Sequence, residues 1–520
     1  MNTRSVKRKR GDANGSAKKI DRLSQLPQPI LHNILSLISQ RDAVRASVLS
    51  KSWRYLWHGR LNVEFRDNWF ARKTELWSFL DKTLQRYKDQ NLSLHQFIVE
   101  IRSEVDLDLV LLQKWIPTVI MDMGIRSLNF ICSSTILPLP LVIFQSKFLV
   151  ELHLQDCNLN PLKFADNVML NNLRTLRLHS VYITDEIFEK IISVCPLIEN
   201  MGMSQCIGLK SIKFDKDHKI KDFSYCVNEQ TIIEIVYPDA LESVYIENCC
   251  PNWFLPHQNT QFPHLKSLNL YRVQLSAQTF DYFSYYFPCL SDLILNLCDG
   301  LKKFFLSSSS IKRLTIKTDL KNRIKAFIDT RNILYFEYSG HGFLPSIKFA
   351  PTSNKWNSQI TLVYKLRRNY NDATMWFLKL NKQLKELSQS HITLNLIRSK
   401  YKKLDIDDSY GGFYEPVVVE HFKLCGCLSP SSDPAMLNCF FRIIRPSYIH
   451  MDEYAIKLAE FMCNLIPKEK GSYFWLQDLD EVSIEIWDMK AGNWKCVQRT
   501  SLPPLPSKQP IRFRLTWRKQ

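Results

Sequence analysis

Glycine is scarce in this chain, 14 residues in 520, which leaves little material for the glycine-rich loops that cradle phosphates. There is no GxxxxGKS/T, no GxSxG elbow and no HExxH, so the motif-level signs of nucleotide, acyl-transfer and zinc-protease chemistry are missing. Long hydrophobic runs are missing too. The greasiest stretch, Thr135 to Phe144, is broken by Pro138 and Pro140 and falls far short of the ~20 apolar residues of a membrane helix. The opening MNTRSVKRKRG is polar and predicts no secretory leader. Fourteen cysteines lie scattered without the spacing of a disulfide framework and read as reduced thiols in a reducing compartment. His421, Cys425 and Cys427, with Cys439 beyond, carry donor atoms for zinc, but Cys-x-Cys departs from the usual ligand gap. An apolar strand and turn accounts for them better, and no metal, cofactor or catalytic residue is expected.

What the chain has is apolar material and positive charge. A hydrophobic content of 45% over 520 residues suffices for two or three domains or one extended repeat array. The net charge is +18, and part of it is local: Lys7, Arg8, Lys9 and Arg10 form one cluster and Lys18 and Lys19 a second. This 1–20 segment has no apolar periodicity and reads as a disordered basic tail. It is either a solvated tail or a nuclear-import signal, and the two-cluster spacing favours import, so nucleus and/or cytoplasm is the expected location. The remaining charge is spread along the chain without an aromatic-studded basic stripe. An acidic protein partner is therefore preferred, and nucleic acid is the weakest option.

Residues 21–65 carry the sharpest signal. Leu26 and Pro27 lead into a helix whose Ile30, Leu31, Ile34, Leu35 and Ile38 form one apolar stripe. Asp42 is a candidate cap for a second helix from Ala43 to Leu49, and Ser50 for a third carrying Trp53, Tyr55, Leu56 and Trp57. So short a segment has more apolar surface than it can bury, which points to a partner. The spacing LPxxILxxILSxI followed by DAVRASVLSKSWRYLW resembles the plant-type F-box along its whole length. The resemblance implies docking on the Skp-type adaptor of a cullin-RING ubiquitin ligase, through Leu26, Pro27, Ile30, Leu31, Ile34, Leu35, Val48, Leu49, Trp53, Leu56 and Trp57.

The middle of the chain repeats. An LxxLxL pattern recurs in ten units starting at Ile125, Leu149, Leu173, Ile198, Ile220, Leu241, Leu265, Leu290, Ile311 and Ile333, spaced 21 to 25 residues apart. That period is the leucine-rich-repeat range. The ninth position, which satisfies turn backbone in such repeats, holds Cys157, Cys206, Asn228, Cys249 and Cys298. A strand over Leu94 to Ile101 is expected to start the stack, after a helical linker over 66–93 that includes the amphipathic Glu75 to Tyr87. The resemblance to leucine-rich repeats implies an α/β chain whose solenoid, over 94–350, is curved. Each unit would set a strand on a parallel concave sheet and a helix or irregular turn behind it. At ~4.8 Å per strand the ten units would give a sheet on the order of 45 Å long. Between the inward leucines lie solvent-facing residues, of which His153, Gln155, Arg177, His179, Tyr245, Glu247, Asn269, Tyr271, Asn296, Arg313, Lys317 and Glu337 are the candidate target-binding row.

Beyond residue 350 the pattern loosens. Met375 to Leu387 predicts a helix before a strand at Ile392 to Ile397, Val417 to Leu424 another strand, and Tyr454 to Ile466 a helix before a strand at Val482 to Ile486. Residues 351–520 are thus an α/β continuation with longer repeats or a cap over the last strand edge, ending in the extended Pro503 to Pro506 segment. The function these resemblances imply is substrate recognition in a Skp-cullin-F-box ubiquitin ligase. The chain would do no bond chemistry itself: it would hold the adaptor, and the cullin core indirectly, at one end and an unknown target protein along the solenoid. A non-degradative scaffold and a small-molecule sensor are the alternatives.

Overall fold

A computed structural model describes residues 26–48, 51–70, 72–102, 109–132, 139–159, 169–214, 218–226, 232–235, 239–248, 261–319, 323–341, 344–352, 354–364, 370–398, 415–425, 433–451, 462, 474–498 and 510–518. The basic cluster at 7–10 and 18–19, Leu49, Ser50, Asn228, Cys249, Cys427, nearly all of 454–466 and the prolines at 503–506 lie outside the described residues. The chain divides into two compact units, Met1–Cys157 with Leu162–Asn172, and Asn158–Pro161 with Leu173–Gln520.

The first unit opens with helices α1 (Gln28–Leu37), α2 (Gln40–Ala46) and α3 (Lys51–His58). Pro27 fixes the entry to α1, and Ile38 ends it in extended backbone. Ser39, not Asp42, caps α2: its Oγ accepts the Asp42 N–H at 3.1 Å, and the helix begins three residues earlier than the sequence suggested. Asp42 instead sits in the first turn, where its carboxylate accepts the Ser39 hydroxyl at 2.7 Å. Leu31, Leu35, Ala43, Trp53 and Leu56 form one buried core, with Leu26, Ile34, Ile38, Ala46 and Trp57 packed around it.

The repeat starts earlier than expected. Strand β1 (Asn62–Arg66), helix α4 (Lys73–Asp89), strand β2 (Gln96–Ile101), helix α5 (Leu109–Pro117), strand β3 (Ser127–Cys132) and strand β4 (Glu151–Gln155) follow, and the strands pair in parallel in that order. The segment read as a linker is therefore the helix that joins two parallel neighbours, because a parallel connection needs a crossover. Its apolar Leu76, Leu80, Leu84 and Tyr87 are buried.

In the second unit the front ladder consists of β5 (Thr175–His179), β6 (Asn200–Ser204), β8 (Asp222–Cys226), β10 (Ser243–Glu247), β11 (Ser267–Tyr271), β12 (Asp292–Asn296), β14 (Arg313–Lys317) and β16 (Tyr335–His341), again parallel. Across the two units, every one of the ten predicted repeat starts is followed two residues later by a strand. Asp156, Ser180, Gln205, Asn248, Arg272 and Leu297, each directly after its strand, have φ between 51° and 56°. This left-handed step turns the chain off the sheet. After Asp156, Gln205 and Leu297 the next residue is a cysteine whose thiol donates to a strand carbonyl: Cys157 to Gln155 O at 3.1 Å, Cys206 to Leu178 O at 3.6 Å and Cys298 to Leu270 O at 3.3 Å. The latter two reach back to the preceding strand and so tie repeat to repeat.

The other side of the repeats holds helix α6 (Asp185–Ser193), the short helix α7 (Phe283–Tyr286) and, in several units, further strands. β7 (Ser211–Phe214) pairs with β9 (Ile232–Ile235), while β13 (Lys303–Ser307), β15 (Lys325–Asp329) and β17 (Ser346–Phe349) make a three-stranded parallel sheet. In KFFLS and KAFID burial alternates residue by residue, the period-two pattern of a strand with one face inward. The ladder then continues through β18 (Trp356–Tyr364), β19 (Ser390–Arg398), β20 (Val417–Cys425) and β21 (Ile444–Met451), with helices α8 (Tyr370–Lys385) and α9 (Asp433–Ile443) between them. It closes in antiparallel pairing: β21 against β24 (Ile511–Trp517), β24 against β22 (Leu479–Asp488), and β22 against β23 (Asn493–Val497). The C-terminal region is both of the things the sequence allowed, a longer-repeat continuation and then a cap.

Candidate functional site

The three-helix module sorts its apolar residues into two sets. Leu31, Leu35, Trp53 and Leu56 are between 0% and 3% exposed and hold the module together. In the chain by itself they face the module's interior. Leu26, Ile34 and Trp57 are half-buried against the same core. Of the remaining candidates described, Pro27 and Ile30 are exposed and Val48 is 74% exposed. Leu37 (85%), Tyr55 (75%) and Val44 (39%) belong with them. Sequence periodicity missed these because they fall off the buried stripe, and only their apolar character at a solvent-facing position marks them.

The module is fastened to the first strand of the sheet. The Gln40 side chain, 4% exposed, accepts the Glu64 N–H of β1 at 2.7 Å, taking the place of a neighbouring strand at that edge. Arg60 donates to the Ile38 carbonyl, and the Tyr87 hydroxyl of α4 donates to the Arg60 carbonyl. The Arg86 guanidinium lies 5.3 Å from the Trp57 ring centroid. Burial pushes the Tyr87 phenol up to about 12, so it stays a hydrogen-bond donor across the physiological range.

The second candidate site is the solvent face of the strands. In the first unit, His153 and Gln155 stand on β4 beside Asn129 and Ile131 of β3. In the second unit the register aligns two rows. The middle row runs Arg177, Gly202, Ser224, Tyr245, Asn269, Ile294, Thr315 and Glu337, and the next runs His179, Ser204, Cys226, Glu247, Tyr271, Asn296, Lys317 and Ser339. Arg313 stands apart, in the row at the strand starts, 3.7 Å from Asp292. Every predicted residue therefore lies on the solvent side of its own strand, but several are engaged with neighbours. Tyr245 donates to Glu247 at 2.7 Å, Lys317 pairs with Glu337 at 3.3 Å, and His179 Nδ1 lies 2.5 Å from Ser204 Oγ. Burial first, and then the hydrogen bond to Glu247, raise the Tyr245 phenol. Arg177 is exposed and Asn269 half-buried, and Gly202, Ser204 and Ser224 lower the floor of the face beside Arg177.

Sequence reasoning also missed how far the face extends. Gln359, Thr393, His421 and Tyr448 continue the middle row up to the cap. There His421 Nδ1 and His450 Nε2 meet at 3.0 Å, and Arg512 stacks between Tyr448 and Trp494, at 4.2 and 4.3 Å from their ring centroids. Cys425 and Cys439 stand on β20 and α9. Among the described residues no group of three His, Cys, Asp or Glu side chains is placed to hold a metal ion, and no helix is long and apolar enough to cross a membrane.

Comparison with known proteins gives this geometry its context. Residues 23–63 match the family model of the F-box domain, and residues 112–236 match that of the leucine-rich repeats of the FBD-associated F-box protein At5g56370. The chain carries an F-box followed by leucine-rich repeats. It is 33% identical over 248 residues to the F-box/LRR-repeat protein At3g59200 of Arabidopsis thaliana, covering 43% of this chain and 47% of that protein. It is 25% identical over 320 residues to the F-box protein At1g60400 of the same plant, covering 60% and 76%, and 29% identical over 194 residues to the F-box/FBD/LRR-repeat protein At1g13570, covering 35% and 44%. The match thus spans about half the length of the first of these relatives. The F-box match coincides with α1 to α3 and the start of β1, and the repeat match with α5 to β9.

Proposed function

We propose that this protein is the substrate-recognition subunit of a Skp-cullin-F-box ubiquitin ligase, a non-catalytic adaptor that binds a Skp-type protein through its F-box and a target through its leucine-rich repeats. The observation that carries this reading is the F-box surface. A module with a closed core of its own still exposes Leu37, Val44, Val48, Tyr55 and Ile30, more apolar side chain than a lone three-helix piece needs. Pro27, Ile30, Leu37, Val44, Val48 and Tyr55 are the adaptor-facing set in this proposal. Arg177, Asn269 and their neighbours on the strand face are the target-facing set. Holding a target beside a charged ubiquitin-conjugating enzyme makes ubiquitin transfer effectively intramolecular, at a local concentration on the order of millimolar. The basic residues at 7–10 and 18–19 favour import into the nucleus.

The test is affinity purification of the full-length protein with the proteasome blocked, comparing wild type with Leu37→Asp/Val48→Asp. Both positions are solvent-facing, so the variant keeps its fold. Adaptor and cullin copurifying with wild type alone, with other captured proteins shared by both samples, supports the reading. Neither copurifying with wild type refutes it. A stable association with the adaptor, combined with unchanged partner turnover after the F-box substitutions, replaces the ligase subunit with a scaffold.

A further inference from the structure

The face of the repeats opposite the strand rows carries a feature that the proposed function does not use. The sheet β13–β15–β17 buries Phe304, Leu306, Ala326, Ile328 and Ile347 on one side. Its other side is a grid set by the register: Lys303 beside Lys325 beside Ser346, then Phe305 beside Phe327 beside Lys348. Phe305 is 49% and Phe327 42% exposed, and their rings stack at 5.7 Å with 12° between planes. Two large apolar rings held together in water are a cost that a partner would remove. Lys303 and Lys325 are exposed cross-strand neighbours with no carboxylate within ion-pair distance among the described residues. Like charges so placed repel. Among the described residues Lys348 has one weak partner, Glu386 at 3.9 Å.

We propose that this outward face, with Lys303, Lys325 and Lys348 around the Phe305–Phe327 pair, docks an extended acidic protein segment in which carboxylates alternate with apolar side chains. The spacing fits. Lysine and phenylalanine rows lie two residues apart on the same strands, about 6.6 Å, which is also the same-side repeat of an extended peptide. A carboxylate over the lysines therefore sets the next same-side residue over the rings. The segment lies on the face rather than adding to the sheet, because the β17 edge is already closed: Gln383 accepts the Ile347 N–H and donates to the Ile347 carbonyl, both at 2.8 Å. At the other edge the Ser284 hydroxyl donates to the Ser307 carbonyl. Three lysines suit a short acidic segment better than a nucleic acid, whose binding typically engages about six to ten phosphates. The surface needs neither adaptor nor F-box, so its test is independent of the ligase reading.

The experiment is fluorescence anisotropy of the full-length protein with a labelled peptide of alternating Asp and Leu or Phe, and with the same peptide carrying Asn for Asp. Three variants accompany it: Lys303→Glu/Lys325→Glu, Phe305→Thr/Phe327→Thr, and the distant charge control Lys219→Glu/Lys490→Glu, each checked for fold by circular dichroism. The acidic peptide is expected to bind saturably and to weaken with salt. The lysine pair and the phenylalanine pair should each lower affinity about tenfold or more, and the control should leave it within about twofold. Four results overturn the proposal: no saturable binding to wild type, equal binding of the Asn peptide, an equal effect of the control variant, or unchanged affinity in the lysine variant, which decides alone if the phenylalanine variant misfolds. A single-stranded RNA 12-mer that displaces the peptide, and whose own binding is lost in the same variants, reassigns the surface to nucleic acid.

Discussion

Replacing Gln40 by Met isolates the bond that seats the F-box on the repeats. The side chain is 4% exposed and its Oε1 lies 2.7 Å from the Glu64 N–H, a donor on the edge of β1. Methionine keeps the length and nearly the volume, so packing changes little, but it offers only a weak acceptor. The Glu64 N–H is part-buried, and stranding such a donor costs about 1–3 kcal/mol. Because residual access to water returns part of this, about 1–2 kcal/mol is expected. Since 1.4 kcal/mol is a factor of ten in an opening equilibrium, the amides of β1 should exchange with deuterium about 5- to 30-fold faster in the variant. Those of β11 and β12, in the other unit, should not change. Hydrogen exchange read by mass spectrometry on peptides spanning 60–66 and 265–297 tests both halves. Unchanged exchange at β1 refutes the idea that Gln40 closes that edge, and a uniform increase in both peptides shows instead that the whole chain has been loosened.

Three further outcomes follow from the same geometry. Leu35→Ala, at 0% exposure in the module's core, should cost about 2–5 kcal/mol, whereas Leu37→Asp at 85% exposure should stay within about 0.5 kcal/mol. A thermal melt of each separates them, and equal effects would dissolve the division between core and surface. Burial pushes the Cys206 and Cys298 thiols up to about 11 and raises Cys157 further. Iodoacetamide at pH 8 should therefore label the exposed Cys289 and Cys496 while sparing these three until the chain is denatured; mass mapping of labelled sites that shows native Cys298 modified would refute this. Burial, then the neighbouring His421, Lys423 and Arg512, lower His450 from 6.5 to about 3, and burial lowers His421 as well. The unfolded chain therefore binds more protons than the folded one below about pH 6.5. The stability these neutral imidazoles permit is present above that pH and is lost as pH falls toward 3. The urea midpoint followed by tryptophan fluorescence should drop between pH 7 and pH 5, and His450→Gln should flatten the drop; an equal drop in the variant would refute the assignment.

Much of this protein is local, and so is legible. The strands fall where LxxLxL recurs because a period-two apolar alternation closed by a turn specifies one strand and its facing, whatever the neighbours are. The cysteine after three of the strands is equally readable: Cys157, Cys206 and Cys298 all donate to carbonyls, while Val181 and Val273 fill the same place after β5 and β11. Two features are less legible. The F-box pattern reports which residues the module requires, and Leu31 and Trp53 sit in its own core while Val48 faces outward. The 66–93 segment read as a linker because β1, five residues long, carries only Val63 and Phe65 toward the core, too little alternation to register.

The sequence by itself determined the module order, the strand positions and the inward leucines, since each rests on contacts within a few residues or on a repeat that copies itself. Only the tertiary structure decided which apolar side chains of the F-box face outward, that Gln40 and Gln383 close sheet edges, and that Lys303, Phe305, Lys325, Phe327 and Lys348 form one surface. Those residues lie in segments some 20 residues apart along the chain, and nothing in any one of them signals the others. Parallel pairing brings them to adjacent strands about 4.8 Å apart, where repulsion, stacking and solvent exposure first become properties of the set.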